Sequence, residues 1–193
     1  DAFLELYQAG KLTNAHKELD TGLSAWNLAM GSQELYDWLD AEPQLFHPGD
    51  LDYIHSVERI SKFSNVISIN GGVQLDLMGQ ENAESTGTRQ LSGVGGQMDF
   101  LEGAYRSKGG KGFICINSSR VTKDGERKSN ILATIPGGST ISAPRTMIQY
   151  VATEYGIASL SGKTLRERAE AMASIAHPDF REELMKYAQE NFK

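Results

Sequence analysis

The chain has 193 residues, of which 39% are apolar and 23% charged, with a formal net charge of −6. That length closes one core of ordinary size, and an acidic chain without a basic stripe argues against a nucleic-acid partner. The single cysteine, Cys115, excludes an internal disulfide and fits a reducing, cytoplasmic compartment, while no apolar run approaches the roughly 18–20 residues that span a membrane.

In chain order, Phe3, Leu4, Leu6 and Tyr7 share a helical face that Gly10 closes as a C-terminal cap. Leu23 to Met30 is apolar enough for a strand or a buried turn. Ser32 reads as the N-cap of a helix over 33–40 that Pro43 ends, 44–52 as extended and loop-rich, and Ser56 as the cap of a short helix over 57–63. Val66 to Asn70 alternates with period two and is rich in β-branched residues, so it predicts a strand, and 73–77 predicts another. The polar stretch 79–87 reads as a loop. The glycine-dense turn Gly93-Val94-Gly95-Gly96 leads into a helix over 98–107, and 111–116 predicts a buried strand. A hairpin is expected around Asp124-Gly125, strands over 131–135 and 147–153, and a capping box of Thr164 with Glu167 at the start of a helix to about Ile175. Pro178 opens a last helix with Phe180, Leu184, Tyr187 and Ala188 facing inward. Alternating strands and helices point to one α/β domain over 1–193.

The sharpest local feature is Gly93-Val94-Gly95-Gly96-Gln97. Glycines before a helix N-terminus present free backbone N–H groups to a phosphate or a developing oxyanion; the same pattern also suits a tight turn that merely needs positive φ. It lacks the Gly-Lys-Ser/Thr of a nucleotide-binding loop and the spacing of a dinucleotide fingerprint. His16, His47, His55 and His177 are not spaced as metal ligands, and one cysteine does not complete a zinc site. His55 reads as a polar site residue or a solvent-facing loop histidine, and His177-Pro178-Asp179 as a helix start. Glu81 and Glu84, three apart, suit acid–base work or a solvated loop, the loop being the expectation, and Glu154 reads as structural. Lys108, Lys111, Lys123, Arg127 and Lys128 are the main basic concentration, a surface feature with some power to attract a nucleotide phosphate.

Several blocks in order carry a more specific signal: Gln74-Leu75-Asp76-Leu77-Met78-Gly79-Gln80, Ala83-Glu84-Ser85, Gly87-Thr88-Arg89, Ser92 through Phe100, Ser107 through Lys111, Thr153-Glu154-Tyr155-Gly156, Gly162 through Arg168, and Ile175 through Arg181. Together they resemble the acetyl-CoA hydrolase/transferase family over nearly the whole chain, with the closest likeness to its 4-hydroxybutyrate and butyryl-CoA:acetate CoA-transferases. The resemblance implies a CoA-transferase-like α/β sheet with flanking helices, forming the C-terminal of two lobes. It implies transfer of CoA between a short-chain acyl-CoA and a carboxylate such as acetate, with coenzyme A as a substrate and no bound cofactor. The partners it implies are the N-terminal lobe of the same enzyme and, as a possibility, further copies of the chain. The alternatives within its reach are an acyl-CoA hydrolase and a non-catalytic CoA-binding lobe.

In such enzymes a glutamate attacks the thioester and carries CoA as a glutamyl-CoA thioester. That glutamate belongs to a Glu-x-x-Ser-Asp-Gly-like stretch whose end Asp1-Ala2 resembles, which places the nucleophile a few residues before Asp1 and an isolated chain without it as inactive. The family's glycine turn falls on Gly93, Val94, Gly95, Gly96 and Gln97, with an N–H of Gly95 or Gly96 as oxyanion support. A family asparagine, in some members histidine, that supplies a second donor falls on His55.

Overall fold

The computed structural model describes residues 1–192. Helix α1 (Ala2–Gln8) ends as its glycine demands: Gly10, at φ +67°, and Lys11 donate back to the carbonyls of Tyr7 and Leu6, satisfying two carbonyls of the last turn. Of its expected apolar face only Leu4 is buried, and Phe3 and Leu6 are exposed. Strand β1 (Ser24–Trp26), helix α2 (Gln33–Ala41) and strand β2 (Phe46–Pro48) follow, with the two strands parallel. Ser32 caps α2 by accepting from the Leu35 N–H at 3.3 Å. Leu28 and Met30, at the end of the stretch read as strand or buried turn, are exposed.

The segment expected to be extended also holds a 3-10 turn (Pro43–Leu45) and helix α3 (Leu51–Ile54), which Asp50 caps through the Tyr53 N–H at 2.9 Å. Helix α4 (Val57–Ile60), capped by Ser56, is one turn long instead of running to Phe63.

The second part of the chain runs β3 (Ile67–Gly71), β4 (Gln74–Asp76), β5 (Glu81–Asn82), β6 (Ser85–Thr86), β7 (Arg89–Gln90), α5 (Gln97–Arg106), β8 (Lys111–Cys115), β9 (Ser119–Val121), β10 (Arg127–Ser129), β11 (Ile131–Leu132), β12 (Tyr150–Thr153), β13 (Gly156–Ser159), α6 (Leu165–Ser174) and α7 (Pro178–Asn191). The main sheet has the order β13-β12-β8-β3, parallel except at β13. A smaller sheet, β11-β4-β5, lies beside it. Strands β9 and β10 form the hairpin expected around Asp124-Gly125, and Thr164 with Glu167 forms the expected capping box. The strands expected over 131–135 and 147–153 are shorter, and the small hairpin β6–β7 and strand β13 carry no apolar alternation that predicts them.

One face of the main sheet packs under the helices. Ile114, Val151 and Ala158 line it and join Leu75, Leu101 and Met172 in a single core, with Leu184 and Ala188 of α7 buried there and Phe180 and Tyr187 packed against it. The register leaves the other face open: Ile69, Phe113 and Tyr150 stand side by side, and Gly71, Cys115, Ala152 and Ile157 form the next row. Phe113 and Tyr150 stack at 4.8 Å, while Ile69 is 69% and Ile157 63% exposed.

Arg168 ties the two sheets together. Its guanidinium, buried and without a carboxylate partner, donates to the carbonyls of Met78, Leu160 and Arg145, each at 2.8 Å. A buried acceptor left unpaired costs about 1–3 kcal/mol, and of the three carbonyls that of Leu160 is buried and the other two partly so, so Arg168→Met, which keeps the bulk and removes all three donors, is expected to lower stability by about 1–3 kcal/mol. Urea denaturation with an unchanged slope checks this; a loss under about 1 kcal/mol refutes it.

Candidate active site

The glycine turn and the short helices α3 and α4 meet around one histidine. Gly95 takes φ +61°, a conformation that L side chains rarely adopt. It hands the chain to Gly96, the N-cap of α5, which has no side chain to accept from the first-turn N–H groups. A Cβ on Gly96 would run into the His55 ring, so backbone and imidazole touch only because this residue is glycine. His55 Nε2 lies 3.1 Å from the Asn27 side-chain amide nitrogen, and Nδ1 lies 3.4 Å from the Asp99 carboxylate. A ring proton on Nδ1 would face the Asp99 carboxylate and leave Nε2 to accept from the Asn27 amide. Phe100 meets the ring edge-on at 5.2 Å.

These groups wall an open cavity of about 600 Å³ that takes in His55, Gly95, Gly96, Asp99, Asp52 and Glu58. Gly93, Val94 and Gln97 are not part of its wall. Gln97 turns inward and its amide donates to Glu81 Oε2.

His55 is held in place by a cluster that carries no visible sequence motif. Asp20 accepts from His47 Nδ1 at 3.1 Å, from the Tyr53 hydroxyl at 2.9 Å and from Arg59. Arg59 also lies over the Tyr53 ring at 4.2 Å. Tyr53 and Arg59 flank His55 on α3 and α4, so their shared hold on Asp20 ties together the two helices that present it. Burial pushes the Asp20 carboxyl up, but its three donors outweigh that and hold it below the usual carboxylate range.

The expectation of a solvated loop around Glu81 and Glu84 is wrong. Both are buried, Glu81 with 0% exposure. Other polar groups of this stretch find partners: the Asn82 Oδ1 accepts from the backbone N–H groups of Glu84 and Ser85, and the Ser142 hydroxyl accepts from the Ala83 N–H at 2.9 Å, while Glu81 Oε1 and Glu84 Oε2 are buried without one. Such a stretch looks solvated in sequence because nothing in its pattern reveals those partners. Burial raises the Glu81 carboxyl to about 8, against the pull of the Gln97 hydrogen bond and with help from the charge of Glu84.

Glu154 is structural as expected, accepting from the Ser118 N–H at 2.9 Å and the Ser118 hydroxyl at 2.6 Å. His177 caps α7. The basic residues do not converge: Lys111 opens β8, whereas Lys123, Arg127 and Lys128 sit on the hairpin beyond its far end. Among the described residues no group of His, Cys, Asp and Glu is arranged to hold a metal ion, and no helix is long and apolar enough to cross a membrane.

Residues 31–188 match the model of the acetyl-CoA hydrolase/transferase C-terminal domain. The chain belongs to this family. It is 43% identical over 189 residues to the butyryl-CoA:acetate CoA-transferase of Anaerostipes caccae, covering 98% of this chain and 42% of that protein. It is 43% identical over 192 residues to the 4-hydroxybutyrate coenzyme A transferase of Clostridium kluyveri, covering 100% of this chain and 44% of the relative. Among solved structures it resembles RipA from Yersinia pestis, with a TM-score of 0.86 at 38% identity over 97% of this chain and 41% of that one. This acetyl-CoA hydrolase/transferase domain thus has the CoA-transferase fold and spans less than half the length of the relatives it matches.

Proposed function

We propose that this chain is the C-terminal lobe of an enzyme that moves CoA between a short-chain acyl-CoA and a carboxylate such as acetate, and that it supplies the oxyanion support. The observation that carries the reading is the contact of His55 with Gly96 at the uncapped N-terminus of α5, on an open cavity. A carboxylate nucleophile, placed a few residues before Asp1, attacks the thioester carbonyl. The carbonyl oxygen takes up negative charge, CoA leaves as thiolate, and an acyl-glutamyl anhydride forms. The thiolate then attacks the glutamyl carbonyl, giving a glutamyl-CoA thioester and releasing the acyl group as carboxylate. The acceptor carboxylate repeats the two steps in reverse.

Each addition needs donors aimed at a growing oxyanion. The N–H groups that follow Gly95, at the positive end of α5, suit that task. The 3.4 Å separation of His55 Nδ1 from Asp99 is long for a hydrogen bond, so a proton on that nitrogen is not committed to the carboxylate. Asp52, Glu58 and Asp99 also line the cavity, and carboxylate charge there opposes a growing oxyanion, so the donors must contact the oxygen directly to outweigh it.

The test uses purified enzyme that includes its upstream part, beside the chain alone, with butyryl-CoA and acetate. The enzyme is expected to show ping-pong kinetics and, with acyl-CoA alone, a mass increase equal to covalently held CoA. The chain alone is expected to show neither while its circular dichroism reports a folded α/β domain. Transfer by the chain alone refutes the placement of the nucleophile, and no adduct on the enzyme refutes the covalent route.

A further inference from the structure

We propose that Glu81 is a positioning residue for the glycine turn: through the hydrogen bond it receives from Gln97 it anchors the first turn of α5 and aims the N–H groups that follow Gly95. The inference rests on the reading of that turn as the oxyanion support.

Gly96 and Gln97 are consecutive, and they face opposite anchors. Gly96 abuts His55, while Gln97 reaches back to Glu81. The Glu81 backbone is itself fixed: its N–H donates to the Ala143 carbonyl at 3.0 Å, and its carbonyl accepts from Ser142 at 2.8 Å. It therefore offers α5 a fixed point rather than a mobile loop. Its side chain has no slack either, since Oε1 lies 2.6 Å from where a Cβ on Gly72 would stand, with Ile114 and Ile116 converging on the same spot.

The carboxyl is also an unusual choice for mere packing. Oε1 is buried without a hydrogen-bond partner, and buried polar atoms are nearly always paired. An apolar side chain would fill the same space without that orphan but would leave Gln97 without its acceptor.

Among the described residues, the groups recorded around Glu81 are Gln97 from α5, Gly72 and the two isoleucines from the sheet side, and Ala143 across the bridge. None of these titrates, and Glu84 is the one ionisable group whose charge bears on it. Held as the neutral acid up to about pH 8, Glu81 leaves the positive end of α5 unopposed. Once ionised, it sets a negative charge behind the N–H groups that must hold the growing oxyanion.

The experiment measures kcat and KM of the full enzyme from about pH 6 to 9.5 for wild type, Glu81→Gln and Gln97→Ala. Wild-type kcat is expected to fall on the alkaline side with a midpoint near 8. Glu81→Gln keeps the acceptor for Gln97, so it should hold kcat within about two-fold at low pH and abolish the alkaline fall. Gln97→Ala should lower kcat by about ten-fold or more at every pH with KM little changed. An alkaline fall that survives unaltered in Glu81→Gln, or wild-type kcat in Gln97→Ala, overturns the proposal. Amide hydrogen exchange at residues 100–102 of the chain itself, whose N–H groups close the first turn of α5 beginning with Phe100 to the Gly96 carbonyl at 3.2 Å, gives a readout independent of turnover: Glu81→Ala should speed exchange there at constant pH, and unchanged rates overturn the role. If the wild-type enzyme transfers no CoA at any pH, the functional reading fails, and the exchange result alone then decides for or against Glu81.

Discussion

Replacing Glu81 by Gln is expected to stabilise the folded chain by about 3–5 kcal/mol at pH 9 and to change little near pH 4. The sign follows from where the proton sits. A carboxyl raised from 4.5 to about 8 keeps its proton in the folded state at pH values where the unfolded chain has released it. Its favourable contribution is therefore complete below pH 4.5, declines as pH rises toward 8, and is gone above that. Each unit of displacement is worth about 1.4 kcal/mol, and the unpaired amide hydrogens that Gln would place at the Oε1 position offset part of the gain. Glutamine never ionises, so the variant escapes the alkaline loss. Urea denaturation of both proteins at several pH values reads the difference directly. A gap that is the same at pH 5 and pH 9 would show that Glu81 is not the titrating group.

Gly96→Ala is expected to lower kcat of the full enzyme by about 10²–10³ while the protein stays folded. The added methyl group has no place to go except into the His55 ring. Either the ring leaves, breaking its contacts with Asn27 and Asp99, or the first turn of α5 shifts. On the proposed reading both outcomes move a donor away from the oxyanion, and misplacement by about 1 Å is enough for a loss of this size. His55→Asn, which keeps a donor of similar reach, is expected to retain more activity than His55→Ala. Near wild-type turnover in folded Gly96→Ala, or equal activity in the two His55 variants, would remove these groups from the mechanism.

The elements that could be read from the sequence are those whose determinants are local. Gly10, Ser32, Ser56, Thr164 with Glu167, and Asp124-Gly125 each end, start or turn the chain by contacts within a few residues, and each does so in the structure. The glycine turn at the head of α5 was legible for the same reason. What was hidden depends on partners far along the chain. Glu81 looks solvated until α5 is brought over it, sixteen residues away in sequence. Asp20 has no motif at all, because His47, Tyr53 and Arg59 reach it from two helices and a strand. The cavity beside His55 likewise exists only after α3, α4 and the glycine turn have been folded together.

The bare face of the main sheet sets the colloidal behaviour of the molecule. The exposed Ile69 and Ile157 and the half-buried Phe113 and Tyr150 form a hydrophobic wall ending at the edge strand β3, while the chain as a whole carries a charge of −6. Two copies are thus drawn together by one face and pushed apart by everything else. The attraction is short-ranged and is not screened by salt, whereas the repulsion extends about 10 Å at 0.1 M salt and shrinks to about 3 Å at 1 M. Ionic strength therefore becomes the dial that sets how long the chain stays dispersed.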